Sequence, residues 1–118
     1  MEDREEQASD KDLMAAATFC WHTLQLKRAG QIVQKLLDQN QNNMNALSLK
    51  GWIYLSAPKE ELQHKSLQYF DHVVETGEQN GRKYLESMLG RAKFFEKLKK
   101  YEDSLEVLSE ITVCFPDF

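Results

Sequence analysis

With 118 residues, 42% of them hydrophobic, and only two prolines and five glycines, the chain can build one modest apolar core and is too apolar for a disordered polymer. Its formal charge of −4 is local: Met1 to Asp10 holds five acids (Glu2, Asp3, Glu5, Glu6, Asp10) against Arg4, so that of 19 acids and 15 bases, 14 of each sign remain beyond it. A neutral body excludes the basic footprint of a nucleic-acid or anionic-lipid binder, and no apolar run reaches the roughly 20 residues of a membrane span or forms a signal-peptide core.

In chain order, residues 1–9 read as an acidic, disordered arm. Ser9 and Asp12 resemble a capping box, which starts a first helix near Asp10. Helices are predicted over 11–24, 27–40, 44–56, 60–76, 83–97 and 101–114. The stretch Ser56, Ala57, Pro58, Lys59 separates the third from the fourth, because proline disfavours helix in the residue before it and starts a new one comfortably. Gly77 to Gly81 has the composition of a loop. Lys97, Lys99 and Lys100 close the fifth helix and Glu102 and Asp103 open the sixth, each where its charge suits the helix dipole.

The helices repeat. A shift of 75 residues lays Ala17, Cys20, Leu26, Ala29, Val33 and Leu36 on Ala92, Phe95, Tyr101, Ser104, Leu108 and Ile111. A middle copy has Gly51 and Tyr54, 34 residues after Ala17 and Cys20, and Ser66, Phe70 and Val73, 37 residues after Ala29, Val33 and Leu36. A small residue on the first helix of each pair (Ala17, Gly51, Ala92) is expected to meet one on the second (Ala29, Ser66, Ser104), so that the helices approach closely. One hairpin cannot bury both its faces, so neighbours must stack. The expectation is all-α: a right-handed superhelical stack of about three antiparallel hairpins over approximately 10–43, 44–84 and 85–118.

These positions are those of the tetratricopeptide repeat, which the chain resembles from about Asp10 to Phe118. The third copy keeps a 34-residue period and the closing proline, Pro116; the first departs at Gln41, where that proline belongs, and at Cys20, where a large aromatic does. The runs FCWHTLQLKRAGQIVQKLL, LKGWIYL, SLQYFDHVVE and LGRAKFFEKLKKYEDSLEVLSEITVCFPDF more particularly resemble an N-terminal stretch of the tetratricopeptide repeat protein 21 family, a long-solenoid subunit of intraflagellar transport complex A. That resemblance implies a role in retrograde ciliary transport and cilium assembly, in the cytoplasm at the cilium or its base, with other transport subunits as partners. Phe115 and Phe118 end the chain without a polar capping helix, as expected of a piece of a longer solenoid.

No catalytic constellation stands out. Cys20 and His22 lie two apart, which on a helix turns them about 200° from one another, so Cys20 reads as a buried apolar residue. Cys20 and Cys114 have neither metal-ligand nor redox spacing, in keeping with a reducing compartment. His64 and Asp71 share a helix face with His72 and Glu75 nearby, a set that reads as a solvated face before it reads as a metal site. Arg91, Lys93, Lys97, Lys99 and Lys100 are offset by Glu96, Glu102 and Asp103. Cofactors, metals, nucleic acid and small-molecule substrates are therefore not expected.

Binding in such arrays uses the concave face, lined by the first helix of each pair. The predicted positions are Thr18, Trp21, His22, Asn45, Ser48, Trp52, Leu55, Leu89 and Lys93. Trp21 and Trp52 either anchor a partner or pack between adjacent hairpins. Where co-chaperone versions of the repeat grip a C-terminal carboxylate, this chain has Met14, Thr18, Leu49, Glu86 and Gly90, none of which can do so. The function expected is a non-catalytic protein-interaction scaffold, in the cilium or as a general cytosolic adaptor for a peptide or helix.

Overall fold

The computed structural model describes residues 9–117, and six helices occupy that span. Helix α1 (Asp10–His22) starts on Ser9, whose hydroxyl accepts the Asp12 backbone N–H at 3.1 Å. Helix α2 (Leu26–Gln39) follows within three residues, and α3 (Met44–Leu55) starts on Asn43, whose side chain accepts from the Ala46 N–H. Pro58 and Lys59 lead into α4 (Glu60–Gln79); α5 (Leu85–Lys97) and α6 (Tyr101–Cys114) complete the array. The described residues include no strand.

Consecutive helices pack as pairs, α1 on α2, α3 on α4 and α5 on α6, and α2 and α4 carry the contacts to the pair that follows. In addition α1 touches α3 and α3 touches α5, while among the described residues α2, α4 and α6 do not touch one another. The first helices of the pairs are thus gathered on one side. Small residues set the spacing inside each pair: Ala17, Ala29, Gly51, Ser66, Ala92 and Ser104 are all buried. The Ser104 hydroxyl donates to the Ala92 carbonyl at 2.9 Å, directly across the α5–α6 seam.

Phe70, wholly buried on α4, is wedged between α3 and α5. A Cβ on Gly51 would lie 2.6 Å from its ring, and one on Gly90 closer still. Two side-chain-free positions therefore admit one large ring, and Phe70, Leu55 and Phe94 form the core between the second and third pairs. Between the first and second pairs the sizes are reversed: Val33 of α2 shares a cluster with the larger Leu49 of α3.

Helix α4 differs from expectation. It continues to Gln79, so Gly77 is a buried helical residue and not part of a loop. A Cβ there would stand 2.6 Å from the Arg82 carbonyl oxygen and 2.9 Å from the Tyr84 ring, so this glycine serves the close return of the chain over the helix end. Only Gly81, with φ of +71°, acts as a turn glycine. Two other connections share one geometry: Leu24 and Lys99 have φ of 65° and 62°, and the following N–H groups of Gln25 and Lys100 reach back to the carbonyls of Cys20 and Phe95. The expected acidic arm lies outside the described residues except for Ser9.

Candidate protein-binding groove

The residues that face the gathered side step along their helices by three and four. On α1 these are Met14, Thr18 and Trp21; on α3, Asn45, Ser48, Leu49 and Trp52; on α5, Glu86 and Leu89. With His22 they line one hollow of about 500 Å³. Seven of the nine positions predicted from sequence meet there.

The two indoles form its centre. Their ring centroids are 5.6 Å apart at a tilt of 57°, and Trp52 also presents an edge-on contact to Phe70 at 5.7 Å. Each N–H is tied to the neighbouring pair: Trp21 Nε1 donates to Ser56 Oγ at 3.0 Å, and Trp52 Nε1 donates to the Glu86 carbonyl at 3.0 Å. Both tryptophans nevertheless remain half-buried. Of the alternatives that the sequence left open, the packing between successive pairs is what they do here, and each also offers ring surface to the groove. The His22 ring lies 4.6 Å from that of Trp21, and Asn45 is exposed at the rim.

Three predicted positions stand differently. Leu55 is 1% exposed and packs with Phe70 and Phe94, because the last turn of α3 is covered where α4 and α5 cross it; it belongs to the core and not to the groove. Its carbonyl accepts from Lys97 Nζ at 2.8 Å. Ser48 is 5% exposed, and its hydroxyl lies 2.6 Å from that of Ser87, either one donating, so it closes the floor between α3 and α5 and offers no free hydroxyl. Lys93 is exposed and lines an adjoining hollow that shares Trp52 and Leu89 with the groove, and its ammonium pairs with Glu96 at 2.7 Å. Met14, Leu49 and Glu86, which the sequence placed at the positions of a carboxylate clamp and not among the predicted contacts, line the same hollow.

The lining is mixed: Met14, Leu49, Leu89 and the two indoles are set among Thr18, His22, Asn45, Ser48 and one carboxylate. Glu86 is its one acid, and it contains neither lysine nor arginine. A carboxylate clamp needs the opposite charge. Elsewhere, Asp71 on α4 stands 3.0 Å from Arg91 Nε on α5, and burial pushes its carboxyl above the ordinary aspartate range against the opposing pull of Arg91. His64 turns its ring towards Phe94 at 6.0 Å. No helix among the described residues is long and apolar enough to cross a membrane.

Comparison with known proteins agrees over the whole length. The sequence model described as Tetratricopeptide repeat protein 21 N-terminal ARM repeat matches residues 1–118. Tetratricopeptide repeat protein 21B of Xenopus laevis is 28% identical over 111 residues, which are 94% of this chain and 8% of that protein. The Homo sapiens protein of the same name has the same identity and coverage, and Tetratricopeptide repeat protein 21A of Mus musculus is 27% identical over 111 residues, again 94% of this chain and 8% of that one. The chain spans less than a tenth of the length of these relatives. With paired helices, buried small residues at the seams and this match in hand, the chain belongs to the tetratricopeptide repeat protein 21 family and corresponds to its N-terminal helical-repeat region.

Proposed function

We propose that this chain is a non-catalytic protein-interaction scaffold acting within intraflagellar transport complex A, in retrograde ciliary transport and cilium assembly, and that the groove over α1, α3 and α5 receives a helix or extended peptide of a partner subunit. The observation that carries this reading is the pair of half-buried indoles lying side by side in a hollow with Met14, Leu49 and Leu89. Aromatic anchors on a preformed surface hold a partner at low entropic cost, which is why tryptophan is frequent at interaction hot spots. Glu86 at the edge favours a partner with a lysine or arginine beside its apolar anchor. Membership of the family supports the ciliary setting, in the cytoplasm at the cilium or its base.

The test is co-purification of the tagged chain from ciliated cells, alongside the Asn45→Arg variant. Asn45 is exposed on the groove wall, so an arginine there obstructs the groove and repels a basic partner without disturbing the core. Intraflagellar transport subunits are expected with the parent chain and roughly tenfold less with the variant, about 1.4 kcal/mol of binding. Recovery of unrelated proteins alone would leave a general cytosolic adaptor and end the ciliary reading. Equal recovery by both forms would place the contact outside the groove.

A further inference from the structure

An extended peptide and a helix ask different things of a groove. An extended chain arrives with a backbone N–H and C=O on nearly every residue and no partner of its own for them, so the groove must supply hydrogen bonds along its length. A helix has satisfied all but its end groups and asks for apolar surface of the right width. In the hollow over α1, α3 and α5, three of the polar groups are already engaged: the Trp21 N–H by Ser56 Oγ, the Trp52 N–H by the Glu86 carbonyl, and the Ser48 hydroxyl by that of Ser87. Among the described residues, the lining side chains outside these bonds that can still pair are Thr18, His22, Asn45 and the Glu86 carboxylate, and His22 and Asn45 are exposed. Packed helices lie about 8–10 Å apart, so a segment crossing from α1 to α5 spans about 20 Å. If extended it would need about six residues, and about half of its backbone groups would turn towards a lining with few partners for them.

The apolar part of the lining has the width of a helix. Met14 and Trp21 are seven residues apart on α1, about 10 Å or two turns, and Leu49, Trp52 and Leu89 carry the surface across α3 and α5. A helix with its side chains is about 10–12 Å across, whereas a strand occupies less than about 5 Å. Further pairs of the same array would not cover this side. Each later pair is added at an end of the stack, α3 against α2 and α5 against α4, so a continuing array lengthens the row of first helices and leaves its open side free. The hollow holds one carboxylate, Glu86, and neither lysine nor arginine, which selects for positive charge in what lies over it.

Resting on the groove reading given above, we infer that the occupant is an amphipathic α-helix of another protein and not an extended peptide. It presents leucine or aromatic residues at i, i+4 and i+7 to Trp21, Trp52 and Leu89, with a lysine or arginine on its flank for Glu86.

Isothermal titration calorimetry of the 118-residue chain with synthetic peptides tests this. The probe is a peptide of about 18 residues made of leucine, alanine and lysine, with leucines at i, i+4, i+7 and i+11 on one face. It should bind one to one with a dissociation constant of about 0.1 mM or tighter, and about tenfold more weakly to the Asn45→Arg chain. Replacing a central alanine on the peptide's outward face by proline should weaken binding about a hundredfold, because proline breaks a helix and is tolerated in an extended chain. Exchanging the lysines for glutamates should abolish binding. Equal binding of the proline peptide overturns the inference in favour of an extended occupant and leaves the groove as the site. Failure of the helical peptide to bind at about 1 mM also overturns it, as does equal binding by the Asn45→Arg chain or by the glutamate peptide. The peptides carry no ciliary sequence, so the loss of transport subunits in the co-purification would end the ciliary reading without deciding this one.

Discussion

Leu24 and Lys99 sit 75 residues apart at the same point of two connections, both with left-handed backbone, where a side chain bearing Cβ is strained by about 1–2 kcal/mol. Leu24 is 76% exposed, so removing its side chain forfeits no packing. Leu24→Gly should therefore raise stability by about 0.5–1 kcal/mol, the relief of strain outweighing the added freedom of the unfolded chain. A denaturation midpoint at or below that of the parent would show that Leu24 is held by something besides this turn. Asp71 supplies a pH test. Burial raises its carboxyl above 3.8 in the folded chain, Arg91 opposes this, and Glu75 adds to it. The folded state thus holds the proton more tightly than the unfolded one, so the contribution of Asp71 to stability is full below the unfolded value and lost as pH rises through the folded value. A carbon-detected NMR titration should place its midpoint above 3.8, and Arg91→Met should move it higher still, because the one favourable charge is gone. A midpoint below 3.8 would mean that the ion pair outweighs desolvation.

Within the elements, glycines decide the packing against their own helix propensity. Alanine in place of a helical glycine ordinarily gains about 1 kcal/mol. At Gly77 the new methyl would meet the Arg82 carbonyl at 2.6 Å, and a backbone oxygen cannot step aside. Gly77→Ala should therefore lose about 1–3 kcal/mol by chemical denaturation; a gain would show that the Arg82 to Tyr84 return is soft. Gly90→Ala should lose a similar amount by striking Phe70, and combining it with Phe70→Leu should cost at least about 0.5 kcal/mol less than the two single losses together. Strict additivity would separate the two residues that the structure places in contact. The seam residues were legible in the sequence because small side chains recur there at fixed spacing. Gly77 was not, since a glycine needed for close approach and one needed for positive φ look alike in composition, and Gly81 lies close by. Leu55 misled for another reason: α3 touches α1, α2, α4 and α5, so it is apolar around most of its circumference and its periodicity does not single out the open face. On α1 and α5, which have fewer neighbours, the stripe was readable.

Taken whole, the array holds together through contacts between neighbours, and its stability is unevenly shared. Among the described residues helix α3 packs against four others, whereas α6 packs against α5 alone. Amide hydrogen exchange in dilute solution should be slowest in α3 and the facing turns of α4 and fastest in α6; uniform protection would instead describe a single cooperative unit. Ser104→Trp, which forces an indole into the tight α5–α6 seam, should release that pair and lower the thermal midpoint, and an unchanged midpoint would remove Ser104 from the seam. The groove also has an optical consequence. Trp21 and Trp52 are the two tryptophans of the chain and stand 5.6 Å apart. Indole emission therefore arises from one place, and rings this near couple their ultraviolet transitions into a paired circular-dichroism band that vanishes once they separate. A melt followed by fluorescence watches the join of α1 to α3, while the fraying of α6 goes by in the dark.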